Sequence, residues 1–322
     1  KVNWAILGQG VIANQMAKIM REYGYEIYAV AGRHMEKVKD FQNVYQVKHA
    51  YTIQQMMEDK NIDIVYIATP HSNHYEYIIE ALENGKHVLC EKAITTNAIQ
   101  LKKARELAED KGLILMEAMT IFHMPLIQEL RNLISNGKLG KVKMIQASFG
   151  SLKEYDVKNR FFNKELAGGA LLDIGTYALS AIYCFLDEKP DVIHTDWTPF
   201  ESGVDEMSGT VLKTKGGQMA TMTLAMRSKL PKKVVVAAEK GYVEIENYPR
   251  ADKAKIVWSA NGQEEWIEKG ESQKALLYEI RDMEETIQTG INKTLQMSCD
   301  VTDLLWEIRR QWGMFYPFDE QK

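Results

Sequence analysis

Apolar residues in the first third of the chain recur in two alternating patterns. Five apolar runs have the length of buried strands, at residues 2–7, 26–31, 62–68, 86–90 and 113–117. Helical spacing of apolar residues follows the first run, and helices are also predicted over residues 73–83 and 96–111. This alternation of strand and helix predicts an α/β domain built on five or six parallel strands.

The later part of the chain has a different pattern, typical of an α+β domain. Short, partly alternating segments rich in β-branched residues predict antiparallel strands at 143–149, 209–213, 218–225, 234–238 and 242–245. A chain of 322 residues also exceeds one usual core, since domains hold about 150 residues each. We therefore expect two domains, over residues 1–119 and 120–322.

The turn after the first predicted strand carries a recognisable glycine pattern. Residues 8–13 read GQGVIA, which is the G-x-G-x-x-A form of the dinucleotide-binding fingerprint. Gly8 permits the sharp turn, Gly10 lets the backbone approach a pyrophosphate, and Ala13 allows close packing of helix and strand. Val11 and Ile12 open the helix, whose unpaired N–H groups stabilise phosphate charge. The pattern predicts a Rossmann domain, with an accidental pair of loop glycines as the alternative.

The second predicted strand ends at Gly32, Arg33 and His34, where the ribose of a dinucleotide is usually recognised. No aspartate or glutamate stands there to bind the ribose diol. Arg33 could pair with a 2'-phosphate and stack on adenine, so NADP is expected to be preferred. The alternative is that Arg33 is a solvated loop charge and NAD binds instead.

A charged pair follows the strand at residues 86–90. Ligands of open parallel sheets bind beyond the carboxyl ends of the strands, and Glu91 and Lys92 lie at such an end. Lys92 could donate to a substrate hydroxyl and stabilise oxyanion charge, while Glu91 could orient the cofactor or the lysine. The alternative interpretation treats both as ordinary loop charges.

A second candidate site is the segment LAGGALLDIGTYAL at residues 166–179. Gly168 and Gly169 precede a predicted helix on which Asp173 and Tyr177 share one face through their i, i+4 spacing. Tyr177 could exchange a proton with a substrate oxygen if a nearby lysine ammonium made its phenol more acidic. Asp173 could bind a second hydroxyl. In isolation, an ordinary loop followed by a surface aspartate explains this segment equally well.

Composition narrows the class of partner. The chain has 45% hydrophobic and 26% charged residues and a net charge of -4 with both signs interspersed. This charge gives no electrostatic reason to expect nucleic acid or a membrane surface as a partner, and favours a small-molecule substrate.

The three cysteines of the chain are Cys90, Cys184 and Cys299. They form no C-x-x-C pair and suggest neither a disulfide framework nor a metal site. With no apolar leader and no apolar run of about 18 residues, a cytoplasmic location is expected.

Five motifs together resemble the Gfo/Idh/MocA family of oxidoreductases, and the resemblance spans nearly the whole chain. They are GQGVIA at 8–13, ATPHSNH at 68–74, CEKA at 90–93, RFFNKELAGGALLDIGTY at 160–177 and GMFYPF at 313–318. The resemblance implies a Rossmann domain followed by a mostly antiparallel open sheet. It also implies a homodimer or higher homo-oligomer formed through the exposed face of that sheet.

The resemblance also implies roles for individual residues. Lys92 matches the lysine of the family's Glu-Lys-Pro motif, and Asp173 and Tyr177 match the polar positions of its substrate helix. A tyrosine at 177 is more similar to the dihydrodiol, xylose and glucose-fructose branches than to the inositol branch. The residues implied to line the cofactor are Thr69, Pro70, His71, Asn73 and His74. For His74, helix capping or packing is the alternative.

Two departures from the family pattern affect the expected site. Ala93 replaces the usual proline, which removes a restriction on the backbone of Lys92. Residues 117–125 lack the arginine that the dihydrodiol and xylose enzymes carry there, and His123 in this stretch could reach the cleft or pack in the loop. We expect hydride transfer between NADP and a hydroxyl-bearing carbon of a sugar, polyol or diol. A catalytically idle dinucleotide sensor is the main alternative, and a purely structural protein ranks below it.

Overall fold

The computed structural model describes residues 1–319 of the chain. The chain folds into two compact units, which we call unit 1 and unit 2. Unit 1 comprises Lys1–Ala118 and Leu276–Cys299, and unit 2 comprises Met119–Ala275 together with the residues from Asp300 onward. The predicted division into 1–119 and 120–322 therefore needs a correction, because residues 276–299 belong to unit 1.

Strands and helices alternate along the first 118 residues of unit 1. They are β1 (Trp4–Leu7), α1 (Val11–Glu22), β2 (Ile27–Ala31), α2 (Met35–Tyr45), β3 (His49–Tyr51), α3 (Ile53–Glu58), β4 (Ile64–Ile67), α4 (His74–Glu83), β5 (His87–Glu91), α5 (Ala98–Lys111) and β6 (Leu115–Ala118). The six strands are parallel and lie in the order β3-β2-β1-β4-β5-β6. The predicted parallel sheet is confirmed. The three-residue strand β3 was not predicted, since it is too short to show a period.

Both faces of this sheet are covered by helices. Successive strand residues point to opposite faces, and the residues of β1 accordingly divide between two apolar cores. Ala5 and Leu7 pack in one core with residues of α3, α4 and α5. Trp4 and Ile6 pack in the other core with residues of α1 and α2. The sheet is therefore doubly wound, which explains why its strands are continuous apolar runs in the sequence.

Unit 2 is built on a second, larger sheet. Its elements before residue 275 are α6 (Pro125–Ser135), β7 (Val142–Gly150), α7 (Thr176–Phe185), β8 (Val192–Pro199), β9 (Asp205–Lys213), β10 (Met219–Ala225), β11 (Leu230–Ala238), β12 (Gly241–Glu246), β13 (Lys253–Trp258) and β14 (Glu264–Glu268). The strand order is β14-β13-β12-β11-β7-β10-β9-β8. Every neighbouring pair is antiparallel except β7 and β10. The predicted mostly antiparallel sheet is confirmed, whereas β8, β13 and β14 were not predicted.

The two faces of the unit 2 sheet differ. On one face, α7 packs against β7, β10 and β11. The other face presents large apolar side chains that are 36% to 55% exposed, namely Met144, Tyr242, Met207 and Trp266. The homodimer expected through this face stays a prediction.

The segment that contains α7 is unusually apolar. Lys164–Phe185 has 22 residues and a mean hydropathy of 1.3 in its most apolar window, which meets the length and composition of a membrane span. The expectation that no apolar run approaches that length was therefore wrong for this segment. Because 78% of the window is buried inside the protein, the apolar character of the segment matches that of a core helix.

Two helices close the described chain, α8 (Ala275–Thr289) and α9 (Leu295–Trp312). Leu276, Ile280 and Met283 of α8 pack in the same core as Trp4 of β1. The indole N–H of Trp4 also donates to Glu284 over 2.9 Å. These contacts are the physical reason for the corrected boundary, because the apolar stripe of an amphipathic helix does not reveal which sheet it covers.

Candidate active site

The turn after β1 depends on Gly8. Its φ of 118° is accessible to glycine and strained for other residues. A Cβ at this position would also lie only 2.5 Å from the carbonyl oxygen of Ala68, just beyond β4. The strand order reverses between β1 and β4, and open parallel sheets bind ligands at such a point. Gly8 therefore permits the close approach of two chain segments where a ligand is expected.

The N-terminus of α1 is open to an anion. Gly10 is the N-cap, no side chain caps the helix there, and a Cβ at Gly10 would meet nothing within 4 Å. The N–H groups of the first turn, which begins at Val11 and Ile12, are the kind that bind phosphate together with the helix dipole. An open groove of about 530 Å³ adjoins this turn, lined by Gln9, Gly10, Val11, Asn14, Gln15, Lys18 and Tyr45. These features fit the pyrophosphate of a dinucleotide.

The end of β2 is shaped by Gln9, which the sequence analysis did not select. Its amide nitrogen donates to the carbonyl oxygen of Ala31 over 2.6 Å. A Cβ on Gly32 would collide with this amide, so Gly32 makes room for Gln9. Arg33 and His34 are exposed, and the Nε of Arg33 donates to the hydroxyl of Tyr77 over 3.3 Å. Arg33 is thus held at the edge where the adenine ribose is expected.

The turn after β4 carries a polar atom for which the described structure shows no partner. The hydroxyl oxygen of Thr69 is buried and has no hydrogen-bond partner there. A buried polar group of this kind calls for a ligand or solvent partner. After Pro70, residues His71–Asn73 form a short 3₁₀ turn, and Nε2 of His71 lies 3.1 Å from the carbonyl oxygen of Lys92. This turn therefore joins the strand ends of β4 and β5.

His74 corrects one prediction. It was expected to line the cofactor, but its side chain is fully buried. Its Nδ1 lies 2.7 Å from the carbonyl oxygen of Ala93, and its Nε2 lies 2.8 Å from that of Thr69. Burial lowers the pKa of the imidazole, while the hydrogen bonds to the backbone act in the opposite direction. His74 therefore fixes the two turns relative to each other and offers no surface to a dinucleotide.

Glu91 and Lys92 lie at the end of β5, as the sequence predicts. Glu91 is buried, and one of its carboxylate oxygens accepts a hydrogen bond of 2.5 Å from the hydroxyl of Tyr66. Its other oxygen accepts from the backbone N–H of Lys92 over 3.3 Å. The peptide bond between Lys92 and Ala93 is cis. Glu91 thus contacts the backbone of Lys92, and its predicted role in orienting the cofactor or the lysine stays a prediction.

A second buried carboxyl, Glu117 of β6, holds the loop that follows Lys92. It accepts hydrogen bonds from the backbone N–H of Ile94 over 2.9 Å and from the hydroxyl of Ser298 over 2.7 Å. Burial raises the pKa of Glu117 to about 7. The sequence analysis placed Glu117 at a strand end but assigned it no contact, because Ser298 is 181 residues away in the chain.

In unit 2, Asp173 and Tyr177 occupy the segment that leads into α7. Asp173 lies in a π-helical turn, Leu171–Gly175, and Tyr177 lies in the first turn of α7. Both are half-buried, whereas every other residue of 170–182 is buried. The ring of Tyr177 stacks on Phe149 of β7 with centroids 6.1 Å apart, and Tyr248 meets Phe149 edge-on at 6.2 Å. The two predicted residues are therefore the accessible positions of a packed helix.

The loop before this helix is held by Asp205, which the sequence analysis missed. Gly169 has a φ of 114°, and a Cβ there would collide with a carboxylate oxygen of Asp205. The other oxygen of Asp205 accepts from the backbone N–H of Leu171 over 2.6 Å. Burial raises the pKa of Asp205 to about 7. Tyr316, in the predicted GMFYPF motif, donates to the carbonyl oxygen of Gly168 over 2.5 Å. The glycine pair in the sequence indicated a tight loop before the helix, but nothing in the sequence pointed to Asp205, which is 34 residues from Leu171.

The described part of the chain offers no typical set of metal ligands. Residues 1–319 contain no group of three or more histidine, cysteine or acidic side chains arranged for a metal ion. The three cysteines are free thiols. His123, for which the sequence left two positions open, is a buried loop residue.

Comparison with known proteins gives relatives of nearly the same length. The trans-1,2-dihydrobenzene-1,2-diol dehydrogenase of Xenopus laevis is 29% identical over 98% of this chain and 99% of the relative. The Sus scrofa enzyme of the same name is 28% identical over 99% of each chain. Among solved structures, KijD10, a 3-ketoreductase from Actinomadura kijaniata in complex with NADP and TDP-benzene, has a TM-score of 0.84 at 22% identity, covering 96% of this chain and 97% of that chain. Levoglucosan dehydrogenase in complex with NADH has a TM-score of 0.87 at 16% identity, covering 97% of each chain. Both solved structures share the fold of this chain.

The chain joins a doubly wound parallel sheet, which has a glycine turn at its switch point, to a large and mostly antiparallel sheet. This combination defines a class of dinucleotide-dependent oxidoreductases. Residues 2–119 match the family model "Oxidoreductase family, NAD-binding Rossmann fold". Residues 127–244 match the "GFO/IDH/MocA C-terminal domain". The chain belongs to the Gfo/Idh/MocA family, as the sequence motifs predicted.

Proposed function

We propose that this protein catalyses reversible hydride transfer between NADP and a hydroxyl-bearing carbon of a sugar, polyol or diol-like molecule. The observation that carries the proposal is the placement of Asp173 and Tyr177 as the accessible polar positions of an otherwise buried helical segment. The names of the relatives, which include a diol dehydrogenase, a ketoreductase and a levoglucosan dehydrogenase, support this substrate class.

Each site residue has a distinct task in this proposal. The backbone at Gly8, Gly10 and the first turn of α1 holds the dinucleotide, whose nicotinamide supplies or accepts the hydride. Tyr177 gives a proton to the substrate oxygen during reduction and removes it during oxidation. Lys92 stabilises negative charge on that oxygen, and Asp173 accepts a hydrogen bond from a second hydroxyl.

The experiment measures turnover with a panel of sugars, polyols and dicarbonyls, together with NADPH and NADH binding by fluorescence titration. We expect Tyr177→Phe and Lys92→Met to lower kcat by about 10²- to 10⁴-fold, the usual contribution of acid–base catalysis, while dinucleotide binding persists. Tyr242→Phe and Lys102→Met, at surface positions away from these sites, serve as matched controls.

The outcomes separate the alternatives. If wild type binds the dinucleotide but turns over no member of the panel, the result favours the sensor over the proposed substrate class. If neither dinucleotide binds, the proposed function is wrong in full. Turnover that survives both substitutions would remove Tyr177 and Lys92 from the mechanism.

The preference for NADP is the finer part of the proposal. Arg33 is exposed at the end of β2 beside Tyr77, and no acidic residue follows the strand directly. Its guanidinium can pair with a 2'-phosphate that an acid at this position would repel. We expect Arg33→Ala to weaken NADPH binding about 10-fold, or about 1.4 kcal/mol, with little change for NADH. Arg21→Ala on α1 is the control, and equal losses for both dinucleotides would contradict the preference.

A further inference from the structure

The cluster of basic residues beside Tyr177 in unit 2 plays no part in the proposed transfer of hydride and proton. Lys232 lies in β11, and its ammonium nitrogen is 4.8 Å from the centroid of the Phe149 ring. Tyr177 stacks on the same ring, with centroids 6.1 Å apart. One aromatic ring thus has both the proposed proton donor and a lysine ammonium as neighbours.

Lys233, the next residue on β11, has a different electrostatic environment from Lys232. Lys233 forms an ion pair of 2.8 Å with Glu244, and this carboxylate raises its pKa. Lys232 has the opposite surroundings. Its pKa is lowered, first by burial and then by the positive charges of Lys229, Lys153 and Arg250. Backbone hydrogen bonds bring the segments that carry these cations together: the N–H of Lys153 donates to the carbonyl oxygen of Met226 over 2.8 Å, and the N–H of Asn247 donates to that of Lys232 over 2.7 Å.

Cations of the loop 151–163 and the nearby Arg227 lie over aromatic rings, and the same loop also contains the acidic Glu154 and Asp156. Lys153 lies over the ring of Phe161 at 4.0 Å, and Arg160 lies over the same ring at 4.6 Å. Arg227, which donates a hydrogen bond to the carbonyl oxygen of Lys153, lies over Tyr155 at 5.5 Å. These cations rest on aromatic faces, which hold the charge in place without neutralising it.

Gathering like charges around a half-buried ammonium is unfavourable unless an anion binds among them. An anion there gains attraction from several cations in a partly dry environment, where charge-assisted hydrogen bonds are strong. The Phe149 ring contacts both Lys232 and Tyr177. We therefore expect the bound anion to be part of the molecule on which Tyr177 acts.

We propose that the substrate carries an anionic group, a carboxylate or a phosphate ester, and that Lys232 binds this group with Lys153 and Lys229. This inference rests on the proposed function, because it takes Tyr177 as the group that reaches the reacting oxygen. It narrows the substrate from sugars and polyols in general to their acidic or phosphorylated forms.

The test compares three matched sugar substrates, one neutral, one carrying a carboxylate and one carrying a phosphate, each with NADP or NADPH. Wild type should use an anionic member with a kcat/KM about 100-fold above that of the neutral member, and added salt should reduce this advantage. Lys232→Met should reduce the ratio of anionic to neutral kcat/KM at least about 10-fold, mainly through KM. Lys233→Met, which removes the ammonium paired with Glu244, should leave the ratio unchanged.

A binding measurement separates this inference from the proposed function. Citrate and inorganic pyrophosphate are titrated calorimetrically into wild type, Lys232→Met and Lys233→Met. Anion binding that depends on Lys232, without turnover of any sugar, would support the anion site and overturn the hydride-transfer proposal. Preference for the neutral sugar, or an anion response that Lys232→Met does not alter, would overturn the inference while leaving the proposed function intact.

Discussion

The two proposed ligand-binding regions of this protein are built by different means. In unit 1, the site is made of backbone: the Gly8 turn, the open first turn of α1 and the strand ends of β4 and β5. In unit 2, it is made of side chains from separate segments, with Phe149, Tyr177, Lys232 and Tyr248 meeting around one ring. The first site depends on local conformation, and the second depends on packing between distant parts of the chain.

The difference also concerns how each site is held in place. Unit 1 uses Glu91 and Glu117 to fix the loop around Lys92 through hydrogen bonds to backbone N–H groups. Unit 2 uses Asp205 in the same way, through the backbone N–H of Leu171. A buried acidic residue that accepts from the backbone is therefore the common device, while the groups offered to the ligand differ.

The largest effect is expected from Gly8→Ala in unit 1. The added Cβ would meet the carbonyl oxygen of Ala68 at 2.5 Å and would occupy a strained φ. We expect dinucleotide affinity to fall at least about 100-fold, or about 2.7 kcal/mol. Gly24→Ala is the matched control, since Gly24 also has a positive φ but open space around it. Equal losses in both variants would show that backbone strain alone explains the effect.

A somewhat smaller effect is expected from Gly169→Ala in unit 2. The added Cβ collides with Asp205 and displaces the start of the segment that carries Asp173 and Tyr177. A misplacement of about 1 Å can lower turnover about 100-fold, and dinucleotide binding by unit 1 should persist. Gly217→Ala, with a positive φ and no neighbour within 4 Å, should retain turnover. Loss of dinucleotide binding in Gly169→Ala would mean that the two sites are not separable.

A separate effect, on stability rather than on binding or turnover, concerns the buried carboxyls and pH. Burial raises the pKa of Asp205 from 3.8 to about 7, so the folded protein holds a proton that the unfolded chain releases between these values. The free energy of unfolding should therefore decrease as pH rises through this window, on the order of 1.4 kcal/mol for each pH unit. Asp205→Asn should remove the part of this slope that Asp205 contributes, as measured by urea unfolding at several pH values.

Glu117→Gln offers the corresponding test in unit 1, because burial also raises the pKa of Glu117 to about 7. Each single variant should remove part of the slope, and the double variant should remove more than either. A slope that neither substitution changes would show that these carboxyls are ionised in the folded state at low pH.

Sequence reasoning identified features that depend on a few consecutive residues. The glycine turn at Gly8, the strand end at Lys92 and the spacing of Asp173 and Tyr177 were each visible as local patterns. It failed for His74, whose motif suggested a cofactor contact but whose ring is buried between two carbonyl oxygens. It also missed Asp205 and Lys232, because nothing near them in the chain distinguishes them from other polar residues. Gln9 was missed although it lies inside the glycine motif, because its contact with Ala31 comes from another strand.

The amino-acid sequence by itself determined the parallel sheet of unit 1, its dinucleotide turn and the family of the protein. These features follow from hydrophobic period, from the unique backbone freedom of glycine and from residue types at short spacing. Only the tertiary structure decided that α8 belongs to unit 1, that Asp205 secures the Gly168–Gly169 loop, and that Lys232 stands among cations beside the Phe149 ring. Those facts depend on contacts between residues far apart in the chain, and their energies come from burial and charge that exist only after folding.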